Sequence, residues 1–320
     1  MRSLITGVGG FSGSHLADYL LATQDTASEV WGCDLSGRRR HYHPKGLRLL
    51  AGDLRDPDAA RDVVSRTRPD RIYHLAGQAY VGDSWANPWD TLETNLRSQV
   101  NLCEAVLAAG LRPRVLVLGS SEEYGRVPPG ALPVRESSAL RPDNPYSVSK
   151  VGQDLLGLQY YLSHQLHIVR VRPFNHIGPR QNHKFAAPAF ASQVAAIEAG
   201  RQPPVIRVGN LAARRDFTDV RDMVRAYGLA LEAGEPGEVY NIGTGRSRCI
   251  QEMLDVLLGL AKVEVTIEPD ASRLRPVDML DLVCDASKFR ARTGWDPQIP
   301  FEQSLHDLLD YERALVGRET

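Results

Sequence analysis

Thr6-Gly7-Val8-Gly9-Gly10-Phe11-Ser12-Gly13 is the stretch that decides the fold of this chain. The apolar run Ser3–Thr6 leads into it and the helix-like Ser14–Ala22 follows, so the glycines stand between a strand and a helix. Gly7, Gly10 and Gly13 recur at every third position. Glycine permits the tight turn, lets backbone approach a pyrophosphate, and lets the helix pack closely on the strand. The amides that open the helix then face an anion. This context predicts a dinucleotide site at the first turn of the chain.

Further short apolar runs follow at Glu29–Cys33, Leu47–Leu50, Arg71–Leu75, Val115–Leu118 and Ile168–Val171. They alternate with helix-like Pro57–Thr67, Pro88–Ala109 and Tyr146–Leu162. Continuous apolar strands separated by amphipathic helices indicate βαβ units and a parallel sheet buried on both faces. The expected fold class is therefore α/β, a doubly wound parallel sheet over residues 1–172. Residues 173–320 read as a smaller α/β unit, with segments near 215–245 returning to the first. Its signals are helix-like Ala186–Ala199, Val220–Glu232 and Ile250–Ala261, and extended Val205–Val208, Glu238–Ile242 and Val263–Ile267. Prolines at 128, 129, 133, 142 and 145 mark a long loop after the fifth strand, at the sheet end where ligands bind.

Composition narrows the function. Among 320 residues, 38 Lys and Arg against 39 Asp and Glu leave a net charge of −1, which excludes a globally basic nucleic-acid binder. The four cysteines (Cys33, Cys103, Cys249, Cys284) form no C-x-x-C pair, and free thiols fit a reducing compartment. No apolar run approaches the roughly 18 residues of a membrane span, and Arg2 with its short apolar stretch makes no signal peptide. The expectation is a cytoplasmic protein with no membrane or nucleic-acid partner. His41, His43 and His74 lack a carboxylate at metal-ligand spacing, so no metal is expected.

Asp34 closes the second strand, where a carboxylate accepts from the adenosine ribose and favours NAD. Arg38-Arg39-Arg40 just beyond would neutralise a 2′-phosphate and favour NADP, so the choice stays open. Asp53-Leu54 and Ala76-Gly77 follow the third and fourth strands and fall beside the adenine and near the centre of the cofactor. Tyr146 and Lys150 are four apart behind the helix start Asn144-Pro145, so phenol and ammonium share one helical face. A free tyrosine, with a pKa of about 10, is a poor acid at neutral pH, and a nearby ammonium stabilises its phenolate. Ser120 follows the fifth strand and offers a hydroxyl to a substrate oxygen. Glu122 beside it reads equally as a carbon-acid base or as a polar surface residue.

Taken together, the glycine turn, the hydroxyl after the fifth strand and Tyr-x-x-x-Lys resemble the extended short-chain dehydrogenase/reductase family, which implies a Rossmann-type sheet. Arg172-Pro173-Phe174-Asn175-His176-Ile177-Gly178-Pro179, Arg215-Asp216-Phe217-Thr218-Asp219 and Arg273-Leu274-Arg275-Pro276 are similar to its GDP-mannose branch. Dehydratases of that branch typically show Thr-Ser-Glu before Leu-Tyr-Gly; here Ser120 replaces the threonine and Glu122 occupies the position of the dehydratase base. The resemblance implies Ser120, Tyr146 and Lys150, with Glu122, as the catalytic set. It implies Gly7, Gly10, Phe11, Gly13, Asp34, Asp53, Leu54, Ala76, Gly77, Tyr146 and Lys150 around NAD(P). Asn175, Arg215, Arg273 and Arg275 would hold a GDP-sugar, since guanidinium forks match phosphate. The implied reaction is NAD(P)H-dependent reduction of the C4 ketone of GDP-4-dehydro-6-deoxy-D-mannose. The alternative is dehydration of GDP-mannose with NAD(P) used catalytically. Members of the family pair as homodimers through two helices, here Pro88–Ala109 and Tyr146–Leu162.

Overall fold

The computed structural model describes residues 1–271 and 281–318. The first half runs β1 (Arg2–Thr6), α1 (Phe11–Thr23), β2 (Glu29–Asp34), β3 (Arg48–Ala51), α2 (Pro57–Thr67), β4 (Arg71–His74), α3 (Val81–Ala86), α4 (Pro88–Ala108), β5 (Arg114–Leu118), α5 (Pro145–His164) and β6 (His167–Pro173). The second runs β7 (Asn175–Ile177), α6 (Ala186–Glu198), β8 (Val205–Val208), β9 (Arg214–Asp219), α7 (Val220–Ala233), β10 (Val239–Ile242), β11 (Ser247–Cys249), α8 (Ile250–Gly259), β12 (Thr266–Pro269), α9 (Ser287–Thr293) and α10 (Phe301–Arg318).

Seven strands form one sheet in the order β10-β6-β5-β4-β1-β2-β3, every neighbouring pair parallel. Chain direction across the sheet reverses between β1 and β4, and Thr6 pairs level with both Cys33 and His74. In a doubly wound sheet that reversal opens a crevice at the carboxyl ends of the strands. The fold is therefore Rossmann-type. Leu4 and Ile5 of β1 point to opposite faces and both are fully buried, each burial stabilising by about 1.5–3 kcal/mol. On one face α1 and α7 pack through Leu16, Leu20, Met223 and Tyr227. On the other, α2, α4 and α5 pack through Val63, Leu102, Val106 and Tyr160.

Local chemistry sets the helix ends. Asp56 accepts from Asp58 N–H at 2.9 Å and Pro57 opens α2. Asn144 and Ser147 cap α5 reciprocally, the Asn144 side chain accepting the Ser147 N–H at 2.8 Å. This cap fixes the turn carrying Tyr146.

The second half differs most from the sequence expectation. β7, β9 and β11 form a three-stranded sheet of order β11-β9-β7, and β8 pairs with β12. β9 reads Arg-Arg-Asp-Phe-Thr-Asp, polar enough to hide its burial, yet five of its six residues are buried. Tertiary contacts bury it, so neither alternation nor an apolar run announced it. α3, α9 and α10 also carried no helix expectation. α10 packs on α6 and α8 in a separate core that includes Val194, Leu257 and Leu308. β10 joins the main sheet beside β6, and α7 lies on that sheet.

Candidate active site

The glycine turn leaves β1 with Gly7 at φ +70°, its N–H donating to Cys33 O at 2.8 Å. A Cβ on Gly13 would fall 2.3 Å from Gly7 O, so the helix start can close on the turn only without a side chain. Gly10 caps α1 with no side-chain hydrogen bond, which leaves the first amides to face an anion. The Asp34 carboxylate lies against this turn: a Cβ on Gly9 would meet its Oδ2 at 1.9 Å. Tyr42 donates to Gly9 O at 2.9 Å and Arg40 donates to the Tyr42 hydroxyl at 3.0 Å. Arg39 instead donates to the Pro44 and Leu47 carbonyls, at 3.0 and 2.6 Å, within its own loop.

Across the crevice, Thr6 Oγ1 accepts the Ala76 N–H at 3.1 Å and bonds His74 Nδ1 at 2.9 Å, which ties the turn after β4 to β1. Burial pushes the His74 imidazole down to about 3, so it is neutral. Asn95 of α4 accepts the Gln78 N–H at 2.8 Å and donates to Ser149 Oγ at 2.8 Å, joining that turn to α5. Asp53 is clamped by Arg55, which lowers its pKa, and Leu54 is buried.

At the end of β5, Ser120 caps a short 3₁₀ turn, Ser121–Tyr124. Its Oγ accepts the Glu122 N–H at 3.1 Å, and its own N–H donates to Glu123 Oε1 at 2.7 Å. Tyr146 and Lys150 are both 8 % exposed. The Lys150 ammonium donates to Leu118 O at 3.0 Å and Gln153 Oε1 at 2.8 Å, and sits 5.8 Å from the Tyr146 ring centre. Burial brings Lys150 down to about 8. Burial pushes the Tyr146 phenol above its usual range, a hydrogen bond from Ser120 opposes this, and Glu122 and Glu123 add to it. From sequence the ammonium was expected to lower the tyrosine pKa. In the folded protein burial instead raises it, with Ser120 alone lowering it among the groups around the phenol.

Gly7, Gly10, Phe11, Gly13, Gly77, Ser120, Glu122, Tyr146, Lys150 and Asn175 line one cavity of about 270 Å³. A second cleft of about 530 Å³, walled by Arg215, Asn210 and Lys184, shares Val81, Asn175, His176, Gln181 and Phe185 with the first. Arg215 is buried, and its guanidinium donates to Arg214 O at 2.7 Å. Asp34, Asp53, Leu54 and Ala76 stand outside the cavity wall, and Arg273 and Arg275 lie outside the described residues. Among the described residues no group of His, Cys, Asp or Glu is placed to hold a metal ion, and no helix is long and apolar enough to cross a membrane.

His176 and Glu123 went without a role from sequence. His176 stacks on Phe11 with ring centres 5.5 Å apart and bonds Ser12 Oγ at 2.8 Å, joining α1 to the segment after β6. Only folding brings those residues together. Glu123 was legible, because Ser120-Ser121-Glu122-Glu123 spells a capping box.

A parallel sheet of this order, with a glycine turn at its reversal and a buried tyrosine and lysine one helical turn apart, defines an extended short-chain dehydrogenase/reductase, a nicotinamide-dependent oxidoreductase class. Residues 4–308 match the model of the family described as GDP-mannose 4,6 dehydratase, and the chain belongs to that family. It is 36% identical over 318 residues to GDP-6-deoxy-D-mannose reductase of Pseudomonas aeruginosa, covering 99% of each chain. It is 29% identical over 338 residues to GDP-mannose 4,6 dehydratase 1 of Arabidopsis thaliana, covering 99% of this chain and 91% of that one. Among solved structures it resembles RMD from Pseudomonas aeruginosa complexed with NADPH, at a TM-score of 0.86 and 34% identity over 98% of this chain and 100% of that one.

Proposed function

We propose that this protein reduces the C4 ketone of GDP-4-dehydro-6-deoxy-D-mannose to a GDP-6-deoxyhexose of the rhamnose type, using NAD(P)H. The observation that carries this reading is the continuity of two cavities. One holds the glycine turn with Ser120, Tyr146 and Lys150; the other, walled by Arg215, shares Asn175 and Phe185 with it. Identity to a reductase over the whole chain exceeds that to the plant dehydratase, which supports reduction over dehydration. Residues 1–172 then hold the dinucleotide and residues 173–320 the sugar nucleotide, with the main-sheet strand Val239–Ile242 counted with the first.

The turn Gly7–Gly13 with Phe11, the uncapped start of α1, and Asp34 against Gly9 fit a dinucleotide, with Asp53 and Leu54 beside its adenine and Ala76 and Gly77 near its centre. A reduced nicotinamide, when bound, supplies the hydride. The Tyr146 phenol, protonated at neutral pH like any phenol and pushed further up by burial, gives its proton to the ketone oxygen. Ser120 donates to the same oxygen, and the Lys150 ammonium stabilises the phenolate left behind and contacts the nicotinamide ribose. Asn175 and Arg215, with Arg273 and Arg275, bind the GDP part. In an assay, one NAD(P)H should disappear per sugar reduced; turnover without net change in nicotinamide absorbance would replace reduction by dehydration.

Glu122 on the cavity wall is the observation that favours dehydration as a second reading. In reduction no proton leaves carbon, so Glu122→Gln should cost at most about 1 kcal/mol, or fivefold in kcat/KM. In a dehydratase the same change removes the general base and about 10²- to 10⁴-fold of rate. Fast dehydration of GDP-mannose, lost in Glu122→Gln, would select the second reading.

For the cofactor, Asp34 beside the turn and Arg39 held within its own loop support NADH being used at least as well as NADPH. Initial rates with the two coenzymes decide it, and a preference of about a hundredfold for NADPH, about 2.7 kcal/mol, would assign the choice to the arginine run Arg38-Arg39-Arg40.

The chain acts as a cytoplasmic homodimer. Val148, Leu155 and Leu162 recur every seven residues along α5 with exposures of 46, 51 and 62%, and Trp89 on the adjacent α4 is 75% exposed. An isologous contact would bury both helices. Light scattering should find a dimer that Leu155→Glu converts to monomer; a wild-type monomer at micromolar concentration would reject it.

A further inference from the structure

Behind the reaction cavity lies a buried ring of charge that the chemistry above does not use. Glu123 is fully buried, although an aliphatic side chain would fill the same space without an ion to desolvate. Its Oε1 accepts the Ser120 N–H at 2.7 Å, and its Oε2 lies 3.0 Å from Arg172 Nε. Arg172, on β6, is ion-paired with Asp154 and donates to the Tyr124 hydroxyl at 3.0 Å and the Glu136 carbonyl at 3.2 Å. Asp154 also accepts from Arg170 at 2.8 Å. It stands on α5 one turn beyond Lys150 and next to Gln153, the acceptor of the Lys150 ammonium. The ring therefore connects the end of β5, which carries Ser120, to the helix that carries Tyr146 and Lys150.

The backbone is shaped around this carboxylate. A Cβ on Gly119 would fall 2.2 Å from Glu123 Oε1, so the residue before Ser120 has to be a glycine for Glu123 to reach the Ser120 amide. Ser120 Oγ accepts the Glu122 N–H, which leaves its own O–H to be donated into the cavity. Burial and Asp154 push the Glu123 carboxyl up, while Arg172 and the Ser120 amide hold it down.

We propose that Glu123 is a positioning residue that holds the Ser120 hydroxyl against Tyr146 and locks the end of β5 to α5. The proposal rests on the assignment of Ser120, Tyr146 and Lys150 to the chemistry. Loss of the acceptor leaves the buried Ser120 N–H unsatisfied and the backbone that carries the hydroxyl free to shift, whereas Glu123 itself lines neither cavity.

The test is a set of variants assayed under saturating NADPH and 4-keto sugar nucleotide. Glu123→Leu should lower kcat by about fiftyfold with both KM values within about twofold of wild type. Glu123→Gln, which keeps an oxygen for the Ser120 amide, should recover to within about fivefold of wild type. Added to Ser120→Ala, Glu123→Leu should cost less than about threefold, because the hydroxyl it positions is gone. Equal losses in both backgrounds, a loss shared by KM, or a Gln variant no better than Leu would overturn the proposal. If Glu123→Leu does not fold, Glu123→Asp, one methylene short of the amide, carries the same expectations. A wild type that dehydrates GDP-mannose and does not reduce the 4-keto sugar overturns the reductase reading alone, and the cycle is then measured on dehydration. For either reaction, a crystal structure of Glu123→Leu with Ser120 unmoved against Tyr146 overturns the positioning role.

Discussion

Tyr146→Phe is expected to lose about 10²- to 10⁴-fold in kcat while binding dinucleotide and sugar nucleotide as the parent does. The ring is 8 % exposed and stays packed on α5; the change removes only the hydroxyl that faces Ser120. In the proposed reduction that hydroxyl is the proton donor, and burial raises its pKa above the usual phenol value. Stopped-flow absorbance of the nicotinamide gives kcat, fluorescence titration gives dinucleotide affinity, and thermal unfolding reports the fold. A variant that keeps near-parental turnover would remove Tyr146 from the chemistry.

Lys150→Met should lose activity and cofactor affinity together, each by about a hundredfold, because one ammonium serves the phenolate and the ribose. Stability should move the other way with pH. Burial lowers Lys150 from 10.5 to about 8. Between those values the unfolded chain holds a proton that the folded chain has released, so stability rises with pH across that window. Below about 8 both states are protonated and the folded chain carries the full cost of a buried ammonium. Methionine removes that cost and leaves the Leu118 carbonyl and Gln153 without their donor. Relative to wild type, Lys150→Met should therefore be most stabilised at pH 7, with its advantage shrinking by pH 10. Thermal unfolding at the two pH values measures it, and an advantage that grows with pH would mean that the folded protein holds the Lys150 proton more tightly than the unfolded chain does, against the lowering by burial.

The first half of the fold was legible for a physical reason. Strands buried on both faces of a parallel sheet are mostly apolar, and β1 and β5 show it as short apolar runs, while β6 carries a run broken by the buried Arg170 and Arg172. Helix ends were legible where a cap sits next to its proline, as at Asp56-Pro57 and Asn144-Pro145. β9 was not legible as a strand, since arginines and aspartates become buried there only through partners distant in sequence. Asp216, for example, accepts the Thr244, Gly245 and Cys284 amides. Within the site, residue types and their spacing pointed to Gly7, Gly13, Ser120, Tyr146 and Lys150, all of which wall one cavity. Spacing could not show that His176 would stack on Phe11, or that Glu123 would meet Arg172, because those pairs come from separate elements.

By itself the sequence determined the sheet class, the glycine turn at its reversal and the side chains able to move a proton. These depend on local rules: period, caps, and the absence of a Cβ where backbone must pass. Tertiary structure alone decided the pKa shifts of those side chains and how they are held. Burial raises the Tyr146 phenol and lowers Lys150, against the ordinary effect of an ammonium near a phenol. Desolvation depends on everything packed around a group, and that environment is assembled from segments far apart along the chain.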